Sequence, residues 1–261
     1  MKRLKYITCS GANESTNIRD LTSLSYQYSK IACGIQQIEW GIQVSGKKCS
    51  FASYRYAWIN TLWKWLAEEQ KVMNLALHVN EDWVEDFTSG EIPKELDILL
   101  KMKNFINEPF FGRIQLNFKI GRDTTPDLNL LKTRMKIFGN GRQFILSYNP
   151  ENKEFIHKLY NEGCRFDLLY DSSHGEGILA QQWEAPVFDD ENILQGYAGG
   201  ISPENVEDVL SQIATVVPKD QAFCIDAEGN LKGEDKRLSL KRCALYVKNA
   251  LAWEEKNEAQ E

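Results

Sequence analysis

Ile193-Leu-Gln-Gly-Tyr-Ala-Gly-Gly-Ile-Ser-Pro-Glu-Asn-Val206 is the stretch that decides the fold. Ile193–Tyr197 is a short, largely apolar run that reads as a strand, and Gly199-Gly200 ends it. Ser202-Pro203-Glu204-Asn205 then marks a helix start, with a capping Ser ahead of a Pro at the first helical position. Apolar residues recur at helical spacing from Pro203 to Val216. A strand that runs through a glycine turn straight into a helix is the repeating half of an α/β architecture.

The same unit recurs in both directions. Further strand candidates are Tyr6–Ser10, Ile38–Val44, Leu75–Val79, Arg113–Phe118, Gln143–Ser147, Phe166–Tyr170 and Ala222–Asp226. Helical spacing is clearest over Tyr56–Gln70, Pro150–Glu162 and Leu238–Trp253, and Asn149-Pro150-Glu151 repeats the start signal. Eight strands alternating with about eight helical segments predict an α/β fold, a single-domain (β/α)8 TIM barrel over residues 1–253. Insertions follow strands two (Gly46–Ser53), three (Glu81–Gly112) and four (Gly121–Gly141). The segment Ile178–Pro186 has room only for a stubby helix, and residues 254–261 read as an acidic, solvated tail or a frayed helix end.

Composition narrows the function. The chain has 261 residues, of which 43% are hydrophobic and 26% charged, with a net charge of −6. An acidic balance argues against a nucleic-acid partner, because phosphate contacts need clustered positive charge. No apolar run approaches the roughly 20 residues that span a bilayer, and the N-terminus lacks a signal-like apolar core, so a cytoplasmic protein without membrane contact is expected. The six cysteines are scattered, with no CxxC pair, so reduced thiols are expected and no metal or cofactor is implied.

Strand alternation sorts the candidate site residues. Thr8 and Ser10 share one face of the first strand, with Ile7 and Cys9 on the other. The polar set continues with Gln43 and Ser45, His78 and Asn80, Gln115 and Asn117, and Gln143 and Ser147. Asp171, Gly196, Ala198 and Asp226 complete it. Most lie near C-terminal strand ends, where barrel enzymes hold their chemistry. Gly199, Gly200 and Ile201 lead into a helix N-terminus, an arrangement suited to an anion such as phosphate. A hydrated barrel mouth without chemistry is the plainer account of the same polar residues.

These residues resemble a known family. Tyr197–Val206 is similar to the strand-seven phosphate loop of phosphoribosylanthranilate isomerase, and Ile114-Gln-Leu-Asn117 to its strand-four Val-Gln-Leu-His. Leu168-Leu-Tyr-Asp171-Ser-Ser-His-Gly175-Glu-Gly177 resembles the strand-six segment, and Cys224-Ile-Asp226-Ala-Glu-Gly229 the eighth strand and its phosphate loop. The resemblance implies an Amadori, aldose–ketose isomerisation of a phosphorylated sugar derivative in tryptophan biosynthesis. It implies Asp171 as general acid, with Gly199, Gly200, Ile201, Asp226, Gly229 and Gly175 around the ligand. Gln115 and Asn117 stand beside them, and Arg55 either holds the anthranilate carboxylate or begins the helix after the strand-two insertion.

The family's base is a Cys directly before the Gly that ends strand one. Here Ser10 precedes Gly11 and Cys9 falls one residue early, so Cys9, Ser10, His78 and His174 are the candidate bases. Glu228 stands where the family has small hydroxyl residues, and would have to face solvent or a neighbour such as Lys232. Two other readings stand beside this one: a barrel acting on another sugar phosphate, or a non-catalytic relative that binds a ligand or partner. The sequence leaves monomer and homodimer equally open.

Overall fold

The computed structural model describes residues 3–29, 37–122, 125–171 and 178–258. Eight strands close in sequence order into a parallel barrel: β1 (Leu4–Ser10), β2 (Ile38–Val44), β3 (Asn74–Val79), β4 (Arg113–Leu116), β5 (Gln143–Tyr148), β6 (Asp167–Asp171), β7 (Gln195–Ala198) and β8 (Phe223–Ala227). The helices among the described residues are α1 (Ile18–Ser29), α2 (Tyr54–Glu68), α3 (Asp82–Thr88), α4 (Lys94–Lys101), α5 (Leu128–Phe138), α6 (Lys153–Asn161), α7 (Val206–Val216) and α8 (Leu240–Glu258). None of them is long and apolar enough to cross a membrane.

The chain packs as two compact units. One comprises Met1–Gly11, Ser15–Trp40 and Leu168–Glu261, and the other Ala12–Glu14 and Gly41–Asp167.

In the first unit, parallel pairing sets Asp171 opposite Ala198, Ala198 opposite Asp226, and Asp226 opposite Thr8. Paired residues in a sheet point the same way, so these four share a face. Cys9 takes the other face, fully buried beside Cys243 of α8. Val206, Val209, Leu210 and Ile213 form the buried stripe of α7, spaced i, i+3, i+4, i+7. Each such side chain contributes about 1.5–3 kcal/mol by leaving water.

Three expectations for this unit need correcting. No helix occurs among the described residues between β6 and β7. Trp183 anchors that segment instead, edge-on to Tyr197 at 5.8 Å, while the Tyr197 hydroxyl donates to the Glu184 carbonyl at 2.9 Å. α7 begins at Val206, later than the Ser-Pro signal implies, because Ser202–Asn205 close a turn on themselves: Ser202 N–H donates to Asn205 Oδ1 at 2.8 Å. Residues 254–258 take the helix-end reading, and Glu254 is buried rather than solvated. α8 runs to Glu258, and the buried Glu254 carboxylate accepts from Leu4 N–H at 2.9 Å and Gln37 Nε2 at 2.8 Å, tying the last helix to the first strand.

The second unit holds β3, β4 and β5 with their helices. Ser53 caps α2, accepting from Tyr56 N–H, and Trp58, Ile59, Leu62 and Leu66 form its buried face. α3 and α4 occupy the stretch between β3 and β4, and α5 that between β4 and β5. α6 starts at Lys153 because Asn149 Oδ1 accepts from Asn152 N–H at 2.9 Å and holds the preceding residues in a turn.

Candidate functional site

At the end of β1, Ser10 is 2% exposed and its hydroxyl donates to Asp226 Oδ1 at 2.6 Å. Asp226 lies deep between strands yet keeps partial solvent access. Burial pushes its carboxyl up to about 7, and the Glu228, Glu39 and Asp171 carboxylates push the same way against the Ser10 hydrogen bond. Behind this pair, Thr8 donates to the buried Glu39 carboxylate at 2.9 Å.

Asp171 lies on the same face, two strands away across β7. Two strand spacings put the backbones of Asp171 and Asp226 about 9–10 Å apart. Between them β7 offers only Gly196 and Ala198. A Cβ on Gly196 would meet Cys224 Sγ at 2.9 Å and the Leu168 carbonyl at 3.0 Å, so the floor there is closed. Two carboxylates therefore share a face on either side of the small residues of β7.

The glycine turn follows β7 directly. Gly199 and Gly200 have φ of 108° and 65°, in the left-handed region that a side chain resists. Asn230 Nδ2 donates to the Gly200 carbonyl at 2.9 Å and Asn205 Nδ2 donates to it at 3.1 Å. The loops after β7 and β8 are thereby fixed to each other. Gly229 opens the short 3-10 turn Gly229–Leu231 in the same loop, and Ile201 is buried. Glu228 turns to Lys232, at 2.9 Å, the arrangement its neighbourhood in the sequence allows. Gly11 (φ 101°) leaves room for it: a Cβ there would sit 3.4 Å from Glu228 Cγ.

Cys9 does not join this constellation. It faces α8, and burial together with its contact to Cys243 holds its thiol well above the ordinary range. A protonated thiol on the helix side cannot take a proton at the strand ends, so the expectation of Cys9 as base is dropped. Ser10 is present but acts as a donor. His174 and Gly175 lie outside the described residues.

The remaining candidates belong to the second unit. His78 is 2% exposed, and burial, with the Arg113 charge, brings its imidazole down to about 3. It is neutral at physiological pH, and its Nε2 is buried without a hydrogen-bond partner among the described residues. Gln115 Nε2 donates to Asn117 Oδ1 at 2.9 Å, and Asn117 Nδ2 to Asn80 Oδ1 at 2.7 Å. Ser147 Oγ also donates to Asn117, at 3.2 Å. These amides satisfy one another along neighbouring strand ends. Arg55, in the first turn of α2, donates to the Glu14 carboxylate and, at 2.6 Å, to the Gln43 carbonyl. No group of three His, Cys, Asp or Glu able to hold a metal occurs among the described residues.

Strand alternation alone put Ser10 and Asp226 on one face. It could not show that they touch, because 216 residues separate them and only the β1–β8 closure brings them together.

Fold and site together define a class: a (β/α)8 barrel with a glycine turn after β7 and two carboxylates at the ends of the strands on either side of β7. No family model matches the sequence, and neither does any curated protein. Among solved structures, TrpF from Jonesia denitrificans is similar at 13% identity and a TM-score of 0.54, over 95% of this chain and 97% of that one. A phosphoribosyl anthranilate isomerase in complex with reduced 1-(o-carboxyphenylamino)-1-deoxyribulose 5-phosphate is similar at 14% identity and a TM-score of 0.50, over 95% and 100%. A structure of the tryptophan synthase α2β2 complex from Pyrococcus furiosus is similar at 10% identity and a TM-score of 0.53, over 97% and 100%. The chain thus shares the (β/α)8-barrel fold of phosphoribosylanthranilate isomerase structures. Proteins of different activity share that fold at equal likeness, so the chemistry has to be read from the site residues.

Proposed function

We propose that this chain is an intramolecular aldose–ketose isomerase acting on a phosphorylated sugar derivative. Asp171 and Asp226, flanking Ala198 beside the Gly199–Gly200 turn, carry this reading. Ring opening needs an acid at the ring oxygen, and the enol stage needs removal of the C2 proton, so two proton-transfer groups must face one slot. Asp171 supplies the acid. Backbone N–H groups of the glycine turn, close to the start of α7, suit the phosphate. Similar barrels support the ligand class, one of them holding a ribulose 5-phosphate derivative. The five described cysteines are free thiols, which suits a reducing, cytoplasmic setting.

The fluorescence decay of phosphoribosylanthranilate, followed with wild-type protein and Asp171→Asn, tests the reading. The expected result is turnover in the wild type and a loss of about 10²–10⁴-fold in the variant. Full turnover in Asp171→Asn overturns Asp171 as the acid.

Arg55 favours a second reading. Its guanidinium is committed to Glu14 and the Gln43 carbonyl, rather than held free for an aromatic carboxylate. A phosphorylated sugar without an anthranilate group fits that state better. Turnover of such a sugar, with silence on phosphoribosylanthranilate, would select it.

A further inference from the structure

We propose that Asp226 is the proton acceptor of this reaction, with Ser10 as the residue that positions it. The inference rests on the isomerase reading above and supplies the base which the displaced cysteine leaves unassigned.

The other candidates fail on placement. Cys9 faces α8. The Ser10 hydroxyl is shut off from solvent and spends its proton on Asp226, so it cannot meet a substrate carbon. Glu228 is committed to Lys232. Among the described residues, Asp226 alone combines a carboxylate, partial exposure and a position across Ala198 from the acid, Asp171.

The Ser10 hydrogen bond fixes Oδ1, so the carboxylate cannot rotate away. In the step itself, an Asp226 carboxylate oxygen takes the proton from C2 of the open-chain substrate. The C–H electron pair becomes the C1=C2 bond, and the former C1=X pair moves to X, the C1 oxygen or nitrogen. Asp226 then returns its proton to C1 as the C2 O–H pair becomes the ketone C=O, which restores its carboxylate. With nitrogen at C1, the C2 hydroxyl proton goes to Asp171 and restores the acid; with oxygen at C1 it goes to the C1 oxygen, Asp171 having recovered its proton from the C1 hydroxyl on ring opening. A carboxyl near 7 is matched to a proton it must both take and give at neutral pH. The ionisable groups that face it are Glu228, Glu39 and Asp171 at the strand ends, and Tyr246 and Cys9 behind the barrel wall.

The test uses the full chain in two measurements. Carboxyl ¹³C NMR titration of aspartate-labelled protein, with Asp226→Asn to assign the signal, should show one carboxyl titrating near 7. In Ser10→Ala that midpoint should rise, because the lost hydrogen bond favoured the charged form. Turnover of phosphoribosylanthranilate should fall at least about 100-fold in Asp226→Asn and recover in part in Asp226→Glu. The acidic limb of kcat/KM, where the base becomes protonated, should move up in pH in Ser10→Ala. A folded, fully active Asp226→Asn overturns the base and leaves the isomerase standing, as does a midpoint in the ordinary carboxylate range. A silent wild type on phosphoribosylanthranilate and on ribose 5-phosphate overturns the isomerase reading and the base with it.

Discussion

Arg113 on β4 donates to Asp167 at the start of β6 at 2.9 Å, and both side chains are only 5% exposed. Gln143 Nε2 donates to the other carboxylate oxygen at 3.0 Å, so the acid is held from two strands. Taking two charges out of water costs several kcal/mol each, and their attraction repays this only with such geometry. Removing one partner is another matter, because it strands a buried charge. Arg113→Met is therefore expected to lose about 3–5 kcal/mol in urea denaturation, whereas Arg113→Met with Asp167→Leu recovers most of it. A single variant as stable as the wild type would show that the pair is not buried in solution.

His78 sits beside that pair and gives the fold an acid sensitivity. Its folded value of about 3 lies below the unfolded 6.5, so between these pH values the unfolded chain holds the extra proton. Stability then falls as pH drops below 6.5, by up to about 1.4 kcal/mol per pH unit. His78→Leu has similar bulk and nothing to titrate. Its stability between pH 7.5 and 4.5 should fall by roughly 2 kcal/mol less than that of the wild type. Parallel curves from thermal melts would place His78 in a wetter setting than the β3 wall.

Asp226 carries the opposite sign. Its folded value of about 7 lies above the unfolded 3.8, so the folded state holds the extra proton between them. Stability falls as pH rises from about 4 to 7 and is level above. Asp226→Asn should gain about 1–3 kcal/mol at pH 8, partial solvent access trimming the full shift, and the gain should vanish near pH 4. Equal stability of the two proteins at pH 8 would contradict the upshift.

The sequence made the strands legible because each is a short β-branched or aromatic run between turn residues. Ile38–Val44 matches to the residue, and the others shift by one or two positions at one or both ends. Helix starts were less legible where a Ser or Asn serves a turn before the helix, as at Ser202 and Asn149, since the same hydrogen-bonding residues begin both. Glu254 could not be read as buried, because a charged residue near a chain end is solvated unless a distant partner claims it. Leu4 and Gln37 claim it here. The polar strand faces were visible by alternation. Which of their residues touch depends on parallel register, which joins positions more than 200 residues apart and leaves no local trace.

Gly200 is the residue on which the turn after β7 depends. Its φ of 65° already disfavours a side chain, and a Cβ there would lie 2.7 Å from the Ile178 carbonyl carbon and closer still to the Leu179 backbone. These neighbours are backbone and cannot yield as a flexible side chain would, so Gly200→Ala must displace either the turn or the Ile178–Leu179 segment. A cost of about 2–3 kcal/mol is expected from the strained φ and the clash. Gly229, in the neighbouring loop, is the control, because a Cβ there meets nothing within 4 Å. Ribulose 5-phosphate binding, measured by calorimetry, should weaken more than about 10-fold in Gly200→Ala, a loss of roughly 1.4 kcal/mol, and stay within a factor of about 2 in Gly229→Ala. Equal weakening in both would move the anion to the loop after β8, and no change in either would remove it from this pair of loops.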